Sequence, residues 1–238
     1  MNGISTWLVV WTSMRFEWER FRLLWRFRHP FSVARRSLKR LFDIIGASIA
    51  LIVAGPILLF IAAAVKLTSK GPVLYRQTRV GRGGRPFHMY KFRSMRVDAE
   101  ANGPVWSAGA DDPRLTPTGG LLRHSHLDEL PQLWNVLRGD MSLVGPRPER
   151  PHFVEQLDEA IPDYHARHLV KPGITGLAQV HYRYDTTIAD VKKKLRLDKL
   201  YVDRHSLRLD IFILLATTRT IFLRRLIPYL RKRNSTET

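Results

Sequence analysis

The sequence predicts a mixed α/β, mainly helical protein at a membrane, and three observations support this fold class. An apolar run from Ile44 to Val65 carries no charge and is long enough to form a membrane helix. Two alternating segments on either side of a glycine-rich turn predict one small β-hairpin. Stretches near both ends of the chain mix apolar residues with arginines at helical spacing, a pattern typical of interfacial amphipathic helices.

Composition restricts the class of partner. The chain has 238 residues and a net charge of +18, from 39 Lys plus Arg against 21 Asp plus Glu. Such a positive excess indicates an anionic partner: nucleic acid, a phosphate-bearing substrate or an anionic lipid surface. The absence of cysteine excludes disulfides and thiolate metal sites. Trp7 to Trp11 is too short for the apolar core of a cleavable signal peptide, so none is predicted.

The apolar run is compatible with more than one arrangement in the membrane. Gly55 and Pro56 lie in its middle, and proline removes a backbone donor and clashes with the preceding turn, so a kink or break is expected there. Positive charge on both flanks favours both ends on the cytoplasmic face. The flanking residues are Arg35, Arg36, Lys39 and Arg40 before the run, and Lys66 and Lys70 after it. A re-entrant helix–break–helix and a single spanning helix both remain open, with a buried soluble helix as a third interpretation.

Two further stretches are candidates for interfacial helices. Between Phe16 and Phe31, aromatic residues are interleaved with arginines, which suits the headgroup zone. Between Leu207 and Ile227, apolar residues recur at helical spacing and a basic tail follows. An amphipathic core helix with a solvated tail explains this second stretch equally well.

The segment from Pro72 to Arg96 predicts the hairpin. Alternating residues lead into Gly81-Arg82-Gly83-Gly84, and a second strand returns from about Phe87. This turn is not a phosphate-binding loop of the GxxxxGK[ST] kind, because no helix follows it. Lys91 and Arg93 on the returning strand either face a phosphate or belong to a solvated strand face.

The most informative feature is the acid pair Asp128-Glu129, at the start of a helix predicted to run to about Leu137. Pro131 is tolerated only in the first turn, which places both acids at the helix start. Ordinary N-capping is one explanation for them. Arg123 before the pair and Arg147 after it favour another, phosphate chemistry with a divalent metal. Adjacent helical residues face different ways, so the two acids should have different roles, nucleophile and metal ligand.

Other acidic and histidine residues give weaker signals. Asp111-Asp112 is either a metal site or, more simply, a turn before Pro113. His124 and His126 flank the acid pair, although no HExxH spacing occurs. Three further residues are candidate ligands or supporting residues, although each is also readily explained as an ordinary surface residue. They are Asp198, Tyr201 and Asp210.

Several ordered motifs now point to a known family. They are Lys39 to Asp43, Tyr90 to Met95, Leu127 to Gln132, Gly139 to Pro148, Lys171 to Gly176, Leu197 to Tyr201 and Ser206 to Asp210. Together they resemble the bacterial sugar transferase family, the monotopic phosphoglycosyl transferases, over roughly residues 38 to 223. The chain is similar to the short, exopolysaccharide-type members, which lack the additional spanning helices of long members.

The resemblance implies a reaction. A sugar 1-phosphate passes from a UDP-sugar to undecaprenyl phosphate, the first membrane step of exopolysaccharide, capsule or O-antigen synthesis. Asp128 is implied as the nucleophile, which forms an aspartyl-phosphosugar and releases UMP. Glu129, with Asp128 beside it, is implied as the Mg²⁺ site.

The resemblance also implies the surroundings of this pair. Lys91, Arg123 and Arg147 would bind phosphate, and Asp210 is a further expected substrate-binding residue. Pro56 would break the membrane helix, which favours the re-entrant arrangement. The implied location is the cytoplasmic face of the bacterial inner membrane, where the protein would be monotopic and in contact with lipid. A homodimer is compatible with the resemblance, and no nucleic-acid partner is expected.

The expected organisation has four parts. Residues 1–37 form a basic aromatic interfacial segment, 38–70 the re-entrant helix, 71–223 the cytoplasmic catalytic domain and 224–238 a basic tail. Two departures from the family's pattern are present: His126 stands where many members have serine, and His181-Tyr182-Arg183-Tyr184 follows Gln-Val where many have Asn-Gly-Arg.

The competing interpretation is a membrane-tethered binder of nucleic acid or anionic lipid. The charge motivates it, but a nucleotide substrate and anionic lipid require basic residues as well, so charge does not discriminate. No helix-turn-helix, RRM or zinc signature supports nucleic-acid binding. An inactive scaffold is disfavoured by the intact acid pair.

Overall fold

The computed structural model describes residues 33–101, 112–182 and 187–234, with side chains described up to residue 220. Residues Ser37–Thr238 form one compact unit, and Met1–Arg36 form a separate unit of which only the first residues of a helix are described. The interfacial segment predicted between Phe16 and Phe31 therefore lies outside the described residues.

Helices dominate the described chain. The helices, in order, are α1 (Val33–Thr68), α2 (Gly119–Ser125), α3 (Gln132–Arg138), α4 (Pro151–Ala160), α5 (Leu177–His181), α6 (Ile188–Arg204) and α7 (Leu207–Asn234). The strands are β1 (Leu74–Val80), β2 (Pro86–Phe92), β3 (Ser142–Val144) and β4 (Gly173–Thr175). Short 3₁₀ turns cover Arg82–Gly84, Leu127–Glu129 and Tyr164–Leu169. The predicted mainly helical fold with a small hairpin is confirmed.

Strand pairing follows the sequence pattern. β1 and β2 form an antiparallel hairpin in which Tyr75 pairs with Lys91 and Arg79 with Phe87. Directly paired residues share a face, so Arg79 and Lys91 lie on the same side of the hairpin. β3 and β4 form a separate two-stranded parallel sheet, with Ser142 opposite Gly173.

Helix α1 is the helix that is long and apolar enough to cross a membrane among the residues described. Its middle is strongly exposed, with Ile52 at 77% and Leu59 at 76% of their full exposure. Exposed aliphatic side chains on that scale need an apolar environment outside the chain. The helix is continuous through Pro56. The re-entrant break stays a prediction.

Both ends of α1 contact the same folded unit. Near its end, Ile61 and Val65 are buried in a cluster with Phe92 of β2 and Leu122 of α2. Near its start, the Asp43 carboxylate accepts a hydrogen bond from the Leu143 backbone N–H at 3.1 Å. The exposed middle therefore lies between two segments that are both attached to one body.

A buried polar network holds the start of α1. The Lys39 ammonium lies 2.9 Å from Asp43 and 3.0 Å from Asp210, and it donates to Ser142 Oγ at 2.6 Å. The Tyr201 hydroxyl donates to Asp210 at 2.8 Å and lies 2.9 Å from the Val144 carbonyl. One lysine thus joins α1, β3 and α7, and a tyrosine of α6 completes the connection.

Arg40, next to this network, extends the attachment. Its guanidinium donates to the carbonyls of Val136 at 2.5 Å and Leu137 at 2.7 Å. These carbonyls belong to the last turn of α3, where backbone acceptors lack helical partners and a cation is favoured by the helix dipole. The motif Lys39 to Asp43 therefore connects the long apolar helix to the part of the fold that carries the acid pair.

The C-terminal helix α7 buries one face over its described side chains. Leu209, Ile213 and Ala216 are buried at helical spacing, whereas Ile211 and Leu215 are 47% and 66% exposed. Its first part thus packs as a core helix, and the interfacial role stays a prediction. The helical backbone continues to Asn234, through the predicted boundary at residue 224.

We expect Lys39→Met to destabilise the protein strongly, because it leaves Asp43 and Asp210 as buried carboxylates without their cation. Removing one partner of a buried ion pair costs about 3–5 kcal/mol, a fall of about 10 °C in the unfolding midpoint for a unit of this size. Thermal unfolding in detergent measures the shift. Lys66→Met, at an exposed position of the same helix, is the control, and equal midpoints for the two variants would contradict the prediction.

Candidate active site

The acid pair lies in the connection between α2 and α3. Asp128 and Glu129 form the 3₁₀ turn Leu127–Glu129, which starts after His126, a residue in the left-handed conformation with φ of 58°. Helix α3 begins later than predicted, at Gln132, with Pro131 at its N-cap position. The acids are therefore not the N-cap of α3, and capping does not explain them.

Glu129 is held by two cations. Its Oε1 lies 2.8 Å from the Lys91 ammonium and 3.0 Å from the Arg147 guanidinium. Burial would raise the pKa of Glu129, but Arg147 and Lys91 outweigh that effect and hold the pKa well below its ordinary value. Glu129 is therefore a fixed negative charge at neutral pH.

Asp128 has the opposite electrostatic environment. Its side chain is buried, with 5% of the residue exposed, and this burial raises its pKa to about 6. Lys91, Arg123 and Arg147 lower the pKa in part, while the adjacent Glu129 raises it. Two neighbouring carboxylates whose pKa values move apart are suited to different chemical roles. This agrees with the different roles expected from their adjacent positions.

The predicted basic residues come together around this pair. Lys91, on β2, is bonded to Glu129, so the solvated strand face considered for it does not apply. Arg123, on α2, lies close enough to lower the pKa of Asp128. Arg147 follows β3 in a loop that faces the hairpin. Three distant segments thus bring three cations to two carboxylates, and the excess positive charge favours an anionic ligand.

The loop that carries Arg147 is fixed by close backbone packing. A Cβ atom built on Gly145 would lie 2.4 Å from the Lys171 carbonyl oxygen, and one on Gly173 would lie 2.0 Å from the Gly145 nitrogen. Only glycine permits this approach. The motifs around residues 145 and 173 therefore pack directly against each other. This packing fixes the loop in which Arg147 lies beside Glu129.

Asp210 does not join the acid pair by any contact seen among the described residues. It lies instead in the network with Lys39 and Tyr201, where burial raises its pKa. Its expected role in substrate binding stays a prediction. Asp112 pairs with Arg114 at 2.7 Å, in agreement with the turn interpretation of that segment. Asp111 lies outside the described residues.

Sequence reasoning missed two arginines near the site. Arg79, on β1, donates to the Pro148 carbonyl at 2.9 Å, and burial lowers its pKa to about 10. Its position on the same hairpin face as Lys91 could have been read from strand alternation. Arg167, in the 3₁₀ turn Tyr164–Leu169, donates to the Arg147 carbonyl at 2.9 Å. No local pattern marks that residue.

Comparison with known proteins decides the family. The model of the bacterial sugar transferase family matches residues 34–224. The chain belongs to the bacterial sugar transferase family. The family expected from the ordered motifs is thereby confirmed.

Relatives with curated names agree with this assignment. A UDP-glucose:undecaprenyl-phosphate glucose-1-phosphate transferase of Klebsiella pneumoniae is 48% identical over 193 residues, 80% of this chain and 41% of that protein. A UDP-N-acetylgalactosamine-undecaprenyl-phosphate N-acetylgalactosaminephosphotransferase of Aeromonas hydrophila is 46% identical over 184 residues, 77% of this chain and 43% of that protein. The exopolysaccharide production protein PSS of Rhizobium leguminosarum bv. phaseoli is 43% identical over 188 residues, 76% of this chain and 92% of that protein.

The lengths of these relatives differ from one another. The chain spans less than half the length of the two named transferases, whereas it covers most of the protein from Rhizobium. The match includes the acid pair and every cation described around it, because all of them lie within residues 34–224.

Proposed function

We propose that the chain is a phosphoglycosyl transferase that moves a sugar 1-phosphate from a UDP-sugar to undecaprenyl phosphate. The observation that carries this proposal is the acid pair of the buried Asp128 and the partly buried Glu129, surrounded by Lys91, Arg123 and Arg147. The site combines a carboxylate nucleophile with an excess of cations, which is what a diphosphate substrate requires. The names of the relatives support the substrate classes.

In the proposed first step, a carboxylate oxygen of Asp128 attacks the phosphorus that bears the sugar. A bond forms between that oxygen and phosphorus, and the bond from phosphorus to the bridging oxygen breaks. UMP leaves with the bonding electrons, and the sugar phosphate remains on Asp128 as a mixed anhydride. Lys91 and Arg147, which form ion pairs with Glu129, would contact phosphoryl oxygens of the donor.

In the second step, a phosphate oxygen of undecaprenyl phosphate attacks the same phosphorus. The bond to Asp128 breaks, the carboxylate is regenerated, and the product is undecaprenyl diphosphate linked to the sugar. The two steps use one nucleophile and leave the enzyme unchanged, so the scheme is ping-pong.

The residues present fit a Mg²⁺ ion held jointly by protein and substrate. Within the described residues no group of three or more metal-ligating side chains occurs, so a cage made only of protein is not provided there. Asp128 and Glu129 supply hard oxygen donors, and Mg²⁺ is often bound by one or two carboxylates together with substrate phosphates and water. When bound, the ion would offset negative charge on the diphosphate. Glu129, which stays ionised, would be its main protein ligand.

We also propose a monotopic arrangement on the cytoplasmic face of the inner membrane. In support, the two ends of α1 contact one folded unit, through Asp43 near the start and Val65 near the end. A helix that crosses the bilayer separates its ends by about 30 Å of hydrocarbon. One compact unit attached to both ends favours entry and exit by the same face, with Pro56 near the deepest point. The basic flanks of the helix favour the cytoplasmic face.

The nucleophile can be tested directly. We expect Asp128→Asn to lower UMP release from the UDP-sugar by about a thousandfold or more, because an amide oxygen cannot form the covalent intermediate. Asp98→Asn, at an exposed aspartate, is the matched control. Incubation of the wild type with donor alone should add the mass of a sugar phosphate to the peptide that contains Asp128. Normal turnover of Asp128→Asn would disprove the covalent scheme.

The pH dependence of the first step follows from the raised pKa of Asp128. The attacking form is the carboxylate, so the rate should fall as pH decreases through about 6, by tenfold per unit below that value. The measurement is the initial rate of UMP release at constant Mg²⁺ concentration between pH 4.5 and 8. A rate that stays constant down to pH 5 would show that Asp128 is not the group whose ionisation limits the step.

The arrangement in the membrane can be tested by labelling single introduced cysteines, because the chain has no cysteine of its own. We expect Arg36→Cys and Lys70→Cys, each introduced alone, to react with a membrane-impermeant maleimide in inside-out vesicles and to be protected in right-side-out vesicles. Leu59→Cys, in the exposed middle of the helix, should be protected in both. Labelling of residues 36 and 70 from opposite faces would indicate a spanning helix.

A further inference from the structure

Backbone carbonyls in the loop Pro146–Glu149, here called the arginine loop, accept hydrogen bonds from four different donors. The Gly173 N–H donates to the Pro146 carbonyl and the Val80 N–H to the Glu149 carbonyl, both at 2.9 Å. Between them, Arg167 donates to the Arg147 carbonyl and Arg79 to the Pro148 carbonyl, also at 2.9 Å.

This arrangement is a consequence of the loop's sequence. Pro146 and Pro148 have no backbone N–H, so the loop cannot form a regular hydrogen-bonded ladder of its own. Its carbonyls must find donors elsewhere, and charged guanidinium donors make stronger bonds than neutral ones. The position of Arg147 therefore depends on side chains that come from other elements.

Arg167 is itself held rigidly. Its guanidinium lies 2.8 Å from the Asp198 carboxylate and donates to the Tyr164 hydroxyl. All three residues are buried, with exposures of 7% for Arg167, 2% for Asp198 and 1% for Tyr164. A buried guanidinium with a carboxylate on one side and a carbonyl on the other has little freedom to move. Asp198 belongs to α6, so this helix supports the arginine loop through Arg167.

The same helix fixes the other end of the segment. The hydroxyl of Tyr201, one turn after Asp198, lies 2.9 Å from the Val144 carbonyl. Residues three apart on a helix lie on one face. One face of α6 thus contacts the chain at Val144 and, through Arg167, at Arg147, which are the two ends of the turn that presents the arginine.

We propose that Arg167, held by Asp198 and Tyr164, is a positioning residue that sets where Arg147 presents its guanidinium to the diphosphate of the donor. This inference rests on the proposed function, because it assumes that Arg147 contacts phosphate. Arg167 does not touch the substrate; it acts through the Arg147 carbonyl. A merely structural ion pair would affect stability, whereas a positioning residue changes the contribution of Arg147 to ligand binding.

A double-mutant cycle separates these two roles, with UDP plus Mg²⁺ as the probe and the full chain in detergent. Arg147→Ala should weaken UDP binding by about tenfold or more, since a charge-assisted hydrogen bond is lost. Arg167→Lys keeps a positive charge beside Asp198 but loses the planar fork, and should weaken binding by about threefold to tenfold. The double variant should bind no more weakly than Arg147→Ala alone, because the two residues act through one contact.

The control is Arg114→Lys, which alters an ion pair with the buried Asp112, outside the arginine loop. It should leave UDP affinity unchanged. If Arg167→Lys does not fold, as judged by its unfolding midpoint, Tyr164→Phe removes one contact to Arg167 and should show a smaller loss that is also absent in the Arg147→Ala background.

Two results would overturn the inference. One is normal UDP affinity in a folded Arg167→Lys or, where that variant does not fold, in Tyr164→Phe. The other is a double variant whose loss equals the product of the two single losses. Wild-type protein that neither binds UDP with Mg²⁺ nor releases UMP would instead disprove the proposed function, and this inference with it. Failure of the cycle in an active wild type would disprove the inference alone.

Discussion

The structure depends above all on one partly buried lysine shared by two buried carboxylates. Lys39 lies between Asp43 of its own helix and Asp210 of the C-terminal helix. Without that cation both carboxylates would be buried charges with hydrogen-bond donors but no ion-pair partner, which is costly. Because Lys39 belongs to the long apolar helix α1, the same interaction also fastens that helix to the unit that carries the acid pair.

The site itself follows from an imbalance of charge. Glu129 has two cationic partners and stays ionised, whereas the burial of Asp128 raises its pKa to about 6. Lys91 and Arg147 are thus partly neutralised by Glu129 and remain close to Asp128. A diphosphate entering the site would meet cations already fixed in place, which limits the reorganisation needed in the transition state.

Local patterns were sufficient to predict much of this fold. Strand alternation predicted the hairpin, the uncharged run predicted the long apolar helix, and Arg147 was expected near the acid pair. Long-range pairings were not predictable in the same way. The bond from Arg167 to the Arg147 carbonyl and its ion pair with Asp198 join residues far apart in sequence, and neither end carries a periodic signal. For the same reason, the ion pair of Asp210 with Lys39 could not be predicted from the sequence.

The large positive charge of the chain is not explained by an anionic partner alone. Arg40, Arg79, Arg93 and Arg167 all donate to backbone carbonyls inside the folded unit, at distances between 2.5 and 2.9 Å. These guanidinium groups donate to acceptors at helix ends and in the proline-containing loop. Part of the net charge of +18 is therefore a requirement of the fold. The charges that matter for an anionic substrate are those of Lys91, Arg123 and Arg147 at the acid pair. The positions of these cations, rather than the total charge of the chain, distinguish a transferase site from a general anion-binding surface.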